Sequence, residues 1–211
     1  MSVSPRRALI VIDVQNEYFT GNLPIEYPPV ETSLPNIVLA IETARANKTP
    51  VILVQHDAPE ESPIFAKGSH GWQLHPAINA MTADHRINKI MADVFAETDL
   101  KQWLSANNID TLTITGYMTH NCNASTIYHA AHEGYKVEYL SDATGALPYE
   151  NAGGKASAEE IHRVFSTVFH STFAAVVTTQ EWVDAMNNNS VLEPENVYVS
   201  NLRARSAREN S

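Results

Sequence analysis

Short, β-branched apolar runs recur along the chain, separated by polar loops or by stretches with helical spacing. Six of them predict strands: 8–14 (ALIVIDV), 51–56 (VILVQH), 87–92 (INKIMA), 111–116 (TLTITG), 136–141 (KVEYLS) and 173–178 (FAAVVT). They lack strict apolar/polar alternation, as expected of strands covered on both faces, so they predict a mostly parallel sheet with helices on either side. Helices are predicted at 34–47, with Ser33 before the run and Pro35 in its first turn, at 99–107, and at 121–134, which Gly134 stops. Ser157 with Glu160 and Thr178 with Glu181 have the spacing of capping boxes, the first opening a helix to about residue 171 and the second preceding Trp182. The βαβα order predicts a doubly wound α/β fold with six strands over residues 1–187. The polar tail at 188–211 shows no clear periodic face and suits a surface arm or a partner contact.

Two long irregular stretches, 15–33 and 57–86, interrupt this rhythm. Both follow the carboxyl end of a predicted strand, the edge at which open parallel sheets gather ligands, so both are candidate walls of a pocket.

Composition narrows the function classes. The chain has 211 residues, of which 44% are hydrophobic, enough for one substantial core. No apolar run reaches the ~20 residues that span a bilayer, and the polar start MSVSPRR lacks a signal-peptide core, so a soluble, cytoplasmic protein without a membrane partner is expected. A formal net charge of −10 repels phosphate backbones and argues against nucleic acid as a partner. The single cysteine excludes an internal disulfide and leaves two readings, a buried small apolar residue or a reagent.

Three polar residues stand where chemistry is plausible. Cys122, in GYMTHNCNAS, opens a predicted helix, where the macrodipole and free backbone N–H groups favour a thiolate and should lower its pKa. Asp13 ends the first strand, where a carboxylate after four apolar residues is either a turn former or a buried group needing a partner. Lys89 interrupts INKIMA and must either reach solvent or find a counterion. All three lie near the C-terminal parts of different strands, which is compatible with one site but does not demonstrate contact.

DVQNEYF after an apolar strand, a lysine in the third strand, and GYMTHNC ahead of a helix continuing to HAAHEGYKVEYLSDATGA together resemble the isochorismatase-like cysteine hydrolases, over about residues 8–178. The resemblance implies a Rossmann-like three-layer fold and a catalytic triad of Asp13, Lys89 and Cys122. It also implies a cis peptide at Tyr117–Met118, an oxyanion hole from the Met118 and Cys122 N–H groups, and a homo-oligomer. The implied reaction is attack of the Cys122 thiolate on an amide-type carbonyl of a small molecule, with Asp13 moving the protons and Lys89 orienting it; no cofactor is required.

Phe19, Trp72 and Tyr117 are candidate aromatic walls of a substrate pocket, and His120 a candidate substrate contact. Nicotinamidases related to this family bind zinc through an Asp-x-His pair and a further histidine. Here His56 precedes Asp57 and that spacing is absent, so no metal is expected, although His70 and His75 stand in the same loop. Two rival readings are hydrolysis of the vinyl ether of isochorismate, which needs a proton donor and no thiol, and a non-catalytic oligomeric binding protein of the same fold.

Overall fold

The structure is a computed structural model and describes residues 4–209. Its strands are β1 (Arg7–Ile12), β2 (Val51–His56), β3 (His85–Lys89), β4 (Thr111–Tyr117), β5 (Lys136–Gly145), β6 (Tyr149–Asn151), β7 (Gly154–Ala156) and β8 (Ala175–Val177). Six of them form a sheet in the order β3-β2-β1-β4-β5-β8, every neighbouring pair parallel, while β6 and β7 make a separate antiparallel hairpin. From β1 the chain winds outward to β3, then returns to β4 and winds the other way. The switch therefore falls between β1 and β4, where Ile12 pairs with Gly116. A crevice opens at such a point beyond the carboxyl ends of the strands.

Among the described residues seven α-helices, α1 (Val30–Ala46), α2 (Pro76–Asn79), α3 (Leu100–Ala106), α4 (Ala124–His132), α5 (Ala158–Val168), α6 (Thr179–Asn188) and α7 (Val197–Glu209), accompany the strands. Strand β1 shows why its sequence does not alternate in polarity. Ala8, Ile10 and Ile12 join one core with Leu104, Ile127 and Phe169, whereas Leu9 and Val11 join the opposite core with Ile37, Ile41 and Trp182. Glu138 is buried in β5, but Arg7 engages it through Nε and Nη2, and Thr113 Oγ1 and Trp182 Nε1 also donate to it. Those partners offset the desolvation of the charge and tie α6 to the sheet.

Several element bounds differ from expectation for physical reasons. The first strand stops at Ile12 because Asp13 takes φ +51. The third ends at Lys89, not 92, because it is an edge strand whose partner β2 ends opposite it at His56, and the next residues, Ile90 and Met91, are exposed. Helix α1 starts after Pro29, so Ser33 is not its cap. Ser33 is buried inside it and bonds Tyr117 Oη at 2.8 Å. The helix expected at 121–134 starts as a wide π turn, Thr119–Asn123, before α4 begins. Both capping boxes form, and α5 passes at Phe169 into a second π turn. Hairpin β6–β7 and helix α7, within the tail, were not foreseen; Tyr198 and Leu202 of α7 are exposed.

The two long loops are laced together. Asn16 N–H donates to Gln73 O, Glu17 N–H to Gly71 O, and His75 N–H to Val14 O. The buried Glu17 carboxylate accepts from Asn22 N and Phe65 N. Both loops are thereby held over the switch point.

Candidate active site

Asp13, Lys89 and Cys122 meet beyond the carboxyl ends of β1, β3 and β4. Lys89 Nζ lies 2.7 Å from Asp13 Oδ2, with both side chains sealed from solvent, and 3.3 Å from Cys122 Sγ. It also reaches His56 Nδ1 at 3.2 Å and Met91 O at 3.1 Å. An ammonium has three protons and no lone pair, so His56 must accept at Nδ1 and carries its own hydrogen on Nε2. Asp13 Oδ1 is buried and has no hydrogen-bond partner among the described residues. Oδ2 is close to Lys89 Nζ yet outside ordinary hydrogen-bond geometry, so the contact is primarily an ion pair.

Local backbone features set this meeting. The left-handed conformation of Asp13 turns the chain out of β1, and Asp tolerates that region better than most residues. Gly116, at φ +96, lies so close to Ile12 that a Cβ would come within 2.1 Å of Ile12 O. The following peptide, Tyr117–Met118, is cis. Met118 O then accepts from the N–H groups of Asn121 and Asn123, and Asn123 Nδ2 donates back to Gly116 O, fixing the turn that carries Cys122.

The electrostatics correct one expectation. Burial, followed by the negative charge of Asp13, pushes the Cys122 thiol up to about 12, and Lys89 offsets only part of this. The resting sulfur is a thiol, not the thiolate that a helix N-terminus alone would favour. Burial also works against the Lys89 ammonium, but Asp13 and Cys122 outweigh it and hold its pKa above the ordinary lysine value. His56 is lowered by burial and by Lys89, so its imidazole is neutral near pH 7.

Cys122 opens onto a cavity of about 340 Å³, walled by Tyr18, Leu23, Ile64, Phe65, Ala92 and Met118, with His56, Ser62 and Asn121 as polar members. Three of the expected wall residues do not line it. Tyr117 is fully buried, packing on Tyr18 and Phe19 and bonded to Ser33, because the turn into Met118 directs it into the core. Phe19 packs on His75 and Tyr117. Trp72 donates Nε1–H to Asp57 Oδ1 at 2.7 Å and borders a different recess. His120 is half-buried against Tyr149 and Phe165, with neither ring nitrogen hydrogen-bonded; burial, then His162, lowers its pKa to about 4. The residues that do face Cys122 come from both long loops, through Tyr18, Leu23, Ile64 and Phe65, and from the strand ends and the turn before α4, through His56, Ala92, Met118 and Asn121. Tyr18 and Phe65 are indistinguishable in sequence from core aromatics, and His56 drew notice only through its place beside Asp57.

The histidines near Asp57 are separately engaged. His70 Nε2 is 3.4 Å from Thr20 Oγ1, His75 Nδ1 accepts from Ala77 N, and Asp57 accepts from Trp72, Asn88 and Lys67. Among the described residues no group of three or more His, Cys, Asp or Glu is placed to hold a metal ion. A larger cavity, about 870 Å³, lies at the opposite edge of the sheet, where Thr111 and Lys136 begin their strands; it contains none of the Asp13, Lys89 and Cys122 cluster. No helix among the described residues is long and apolar enough to cross a membrane.

Comparisons with known proteins bear on the family and the fold. A candidate isochorismatase of known structure from Burkholderia xenovorans LB400 is 57% identical, with 98% of this chain and 100% of that chain covered and a TM-score of 0.97. The secreted isochorismatase effector of Verticillium dahliae is 30% identical over 167 residues, 77% of this chain and 87% of its own length. N-carbamoylsarcosine amidase from an Arthrobacter species is 29% identical over 150 residues, 62% of this chain and 56% of its length. Residues 7–181 match the family model described as the Isochorismatase domain, and the chain belongs to the isochorismatase family of hydrolases.

Proposed function

We propose that this protein is a cysteine hydrolase that cleaves the C–N bond of a small amide-type substrate through a thioester on Cys122. The observation carrying this reading is the convergence of an ammonium and a carboxylate on a thiol that opens onto a cavity, Lys89 Nζ lying 2.7 Å from Asp13 and 3.3 Å from Cys122. An N-carbamoylsarcosine amidase and a nicotinamidase among its relatives support a C–N bond as the target.

In this mechanism Asp13 Oδ1, otherwise without a partner, takes the thiol proton as Sγ attacks the carbonyl carbon. Because burial and the charge of Asp13 hold the sulfur in its protonated form, its proton has to be removed for attack, and Asp13 is the neighbouring base. The tetrahedral oxygen receives the N–H groups of Met118 and Cys122. Collapse breaks the C–N bond, and Asp13 returns the proton to the departing nitrogen. Water, deprotonated by the same carboxylate, then attacks the thioester, releases the acid and restores the thiol. Throughout, Lys89 keeps its charge and steadies the carboxylate and sulfur.

The experiment is a panel of small amides, ureides and carbamates monitored by product formation and by intact mass after acid quench. An acyl adduct on Cys122 that disappears together with turnover in Cys122→Ala is expected. Turnover of the panel that persists in that variant would remove the thioester from the mechanism.

A further inference from the structure

Lys89, Asp13 and Cys122 account for the chemical step, but His56 is held beside them with unusual care and has no part in it. Its backbone is gripped at both ends by Gln15, which is fully buried: Gln15 Oε1 accepts from His56 N and Gln15 Nε2 donates to His56 O, each at 2.9 Å. Its ring is fixed from a third direction by Lys89 Nζ on Nδ1, and by a T-shaped contact with Phe65 at 5.3 Å between centroids. Because an ammonium can only donate, this bond selects the tautomer with hydrogen on Nε2. No protein acceptor among the described residues is hydrogen-bonded to that Nε2–H.

The cavity explains what this hydrogen could meet. His56 forms part of its wall together with Cys122, among mostly apolar neighbours, and it also borders a more open recess of about 460 Å³ beside Asp57, Pro59, Lys67 and Ile90. A ligand whose carbonyl sits against Cys122 therefore reaches His56 with its far part. Ser62 Oγ already donates to Ile64 O. Lys89 has Asp13, Cys122, His56 and Met91 O around its three protons and has none to spare for a ligand.

We propose that His56 is a specificity-determining residue, whose Nε2–H recognises a second hydrogen-bond acceptor on the substrate, beyond the carbonyl that Cys122 attacks. The substrate class this selects is the acylurea, imide or diamide, as opposed to a simple monoamide. A neutral donor in an apolar wall favours an uncharged acceptor and leaves a purely aliphatic tail with an unpaired N–H opposite it. The assignment rests on Cys122 being the nucleophile.

Two isosteric alkylating probes test this without knowledge of the natural substrate. Chloroacetylurea and N-isopropyl chloroacetamide differ in whether the tail ends in an acceptor or in methyl groups. In both cases Cys122 Sγ forms a bond to the chloromethyl carbon, chloride leaves with the electron pair of the broken C–Cl bond, and the thiol proton passes to Asp13. Labelling of Cys122 is followed by intact mass at varied probe concentration, and rates are normalised to those with glutathione.

The expected result is a half-saturating concentration about 10-fold lower for chloroacetylurea in the wild type, a preference that disappears in His56→Leu and partly returns in His56→Gln, whose amide restores a donor. Both variants should still be labelled saturably by the N-isopropyl probe, which shows that they fold, and its half-saturation should be no higher in His56→Leu than in the wild type, since the unpaired N–H opposite the aliphatic tail is gone. Saturable labelling with no preference in the wild type would overturn the proposal alone. So would a preference that survives in His56→Leu while labelling by both probes slows equally, because His56 would then act only through Lys89. Failure of either probe to label Cys122 would instead overturn the nucleophile assignment on which the proposal stands.

Discussion

Lys89 Nζ sits 2.7 Å from Asp13 Oδ2 with neither side chain exposed to solvent, so each is the other's buried counter-charge. Taking one partner away leaves an uncompensated buried charge, a loss of roughly 3–5 kcal/mol. We expect Lys89→Met, which keeps the volume, to destabilise the fold by about that amount and abolish turnover. Asp13→Asn should also lose turnover by at least about 100-fold, since the amide tolerates the left-handed backbone but cannot accept a proton. The double variant carries neither charge and should be more stable than either single one while remaining inactive. Denaturant unfolding of all four proteins measures this coupling, and strict additivity would show that the two groups do not stabilise one another.

Cys122→Ala should separate chemistry from folding. The residue is small and adjoins a cavity, so its truncation removes little packing, and we expect a stability change within about 1 kcal/mol with loss of measurable turnover. Circular dichroism melts and product formation from the same preparation provide the comparison. A variant that unfolds by several kcal/mol would make Cys122 a structural residue first.

The sheet was legible because its strands are buried on both faces, and continuous apolar runs such as ALIVIDV are the direct imprint of that environment. Asp13 and Lys89 could be singled out for the same reason: a charge within an apolar run demands a partner. Their meeting could not be read from the residues alone, since it depends on the winding reversal between β1 and β4 and on the pairing of His56 with Lys89 in β2 and β3. The cavity wall was the least legible part. Its members come from loops whose course is set by contacts such as Glu17 with Asn22 and Phe65, which have no periodic trace in sequence. Tyr117 was misplaced because proximity along the chain to Cys122 does not fix the direction of its ring, which Ser33 on α1 receives instead.

Acid should destabilise the protein through His162. Its Nδ1 is 2.9 Å from Thr119 Oγ1, and that hydroxyl is in turn 3.0 Å from Tyr139 Oη, within buried surroundings. Burial lowers its pKa from 6.5 to about 4, an effect partly opposed by a bond with the Ser141 backbone. A folded pKa below the unfolded one means that the unfolded chain binds the proton first. The stability it contributes is complete above pH 6.5 and is lost progressively as the pH falls toward 4, by an amount on the order of 3 kcal/mol. His120, lowered to about 4 by burial and His162, acts in the same window and the same direction. Urea midpoints from pH 7 to pH 4 should fall less steeply in His162→Gln than in the wild type; identical slopes would exclude His162 as a source of the acid sensitivity.

A single methyl group at Gly116 should disturb the active site without touching a catalytic atom. Gly116 has φ +96, and a Cβ there would lie 2.1 Å from Ile12 O and 2.7 Å from Ile12 N, backbone atoms that cannot rotate away. Relief requires β1 and β4 to separate where they pair, immediately before Asp13 and immediately before the turn into Cys122. We expect Gly116→Ala to destabilise by more than about 2 kcal/mol, and to lower kcat more than it raises KM, because the ligand cavity lies beyond the displaced strands while the carboxylate and thiol move with them. Gly134→Ala is the matched control. That residue also has a positive φ, +89, but no atom lies within 4 Å of the added Cβ, so it bears only the conformational penalty of about 1 kcal/mol. Chemical denaturation and steady-state kinetics of the two variants isolate the steric contribution. Equal destabilisation, with normal kcat in both, would mean that the approach of Gly116 to Ile12 does not set the position of Asp13.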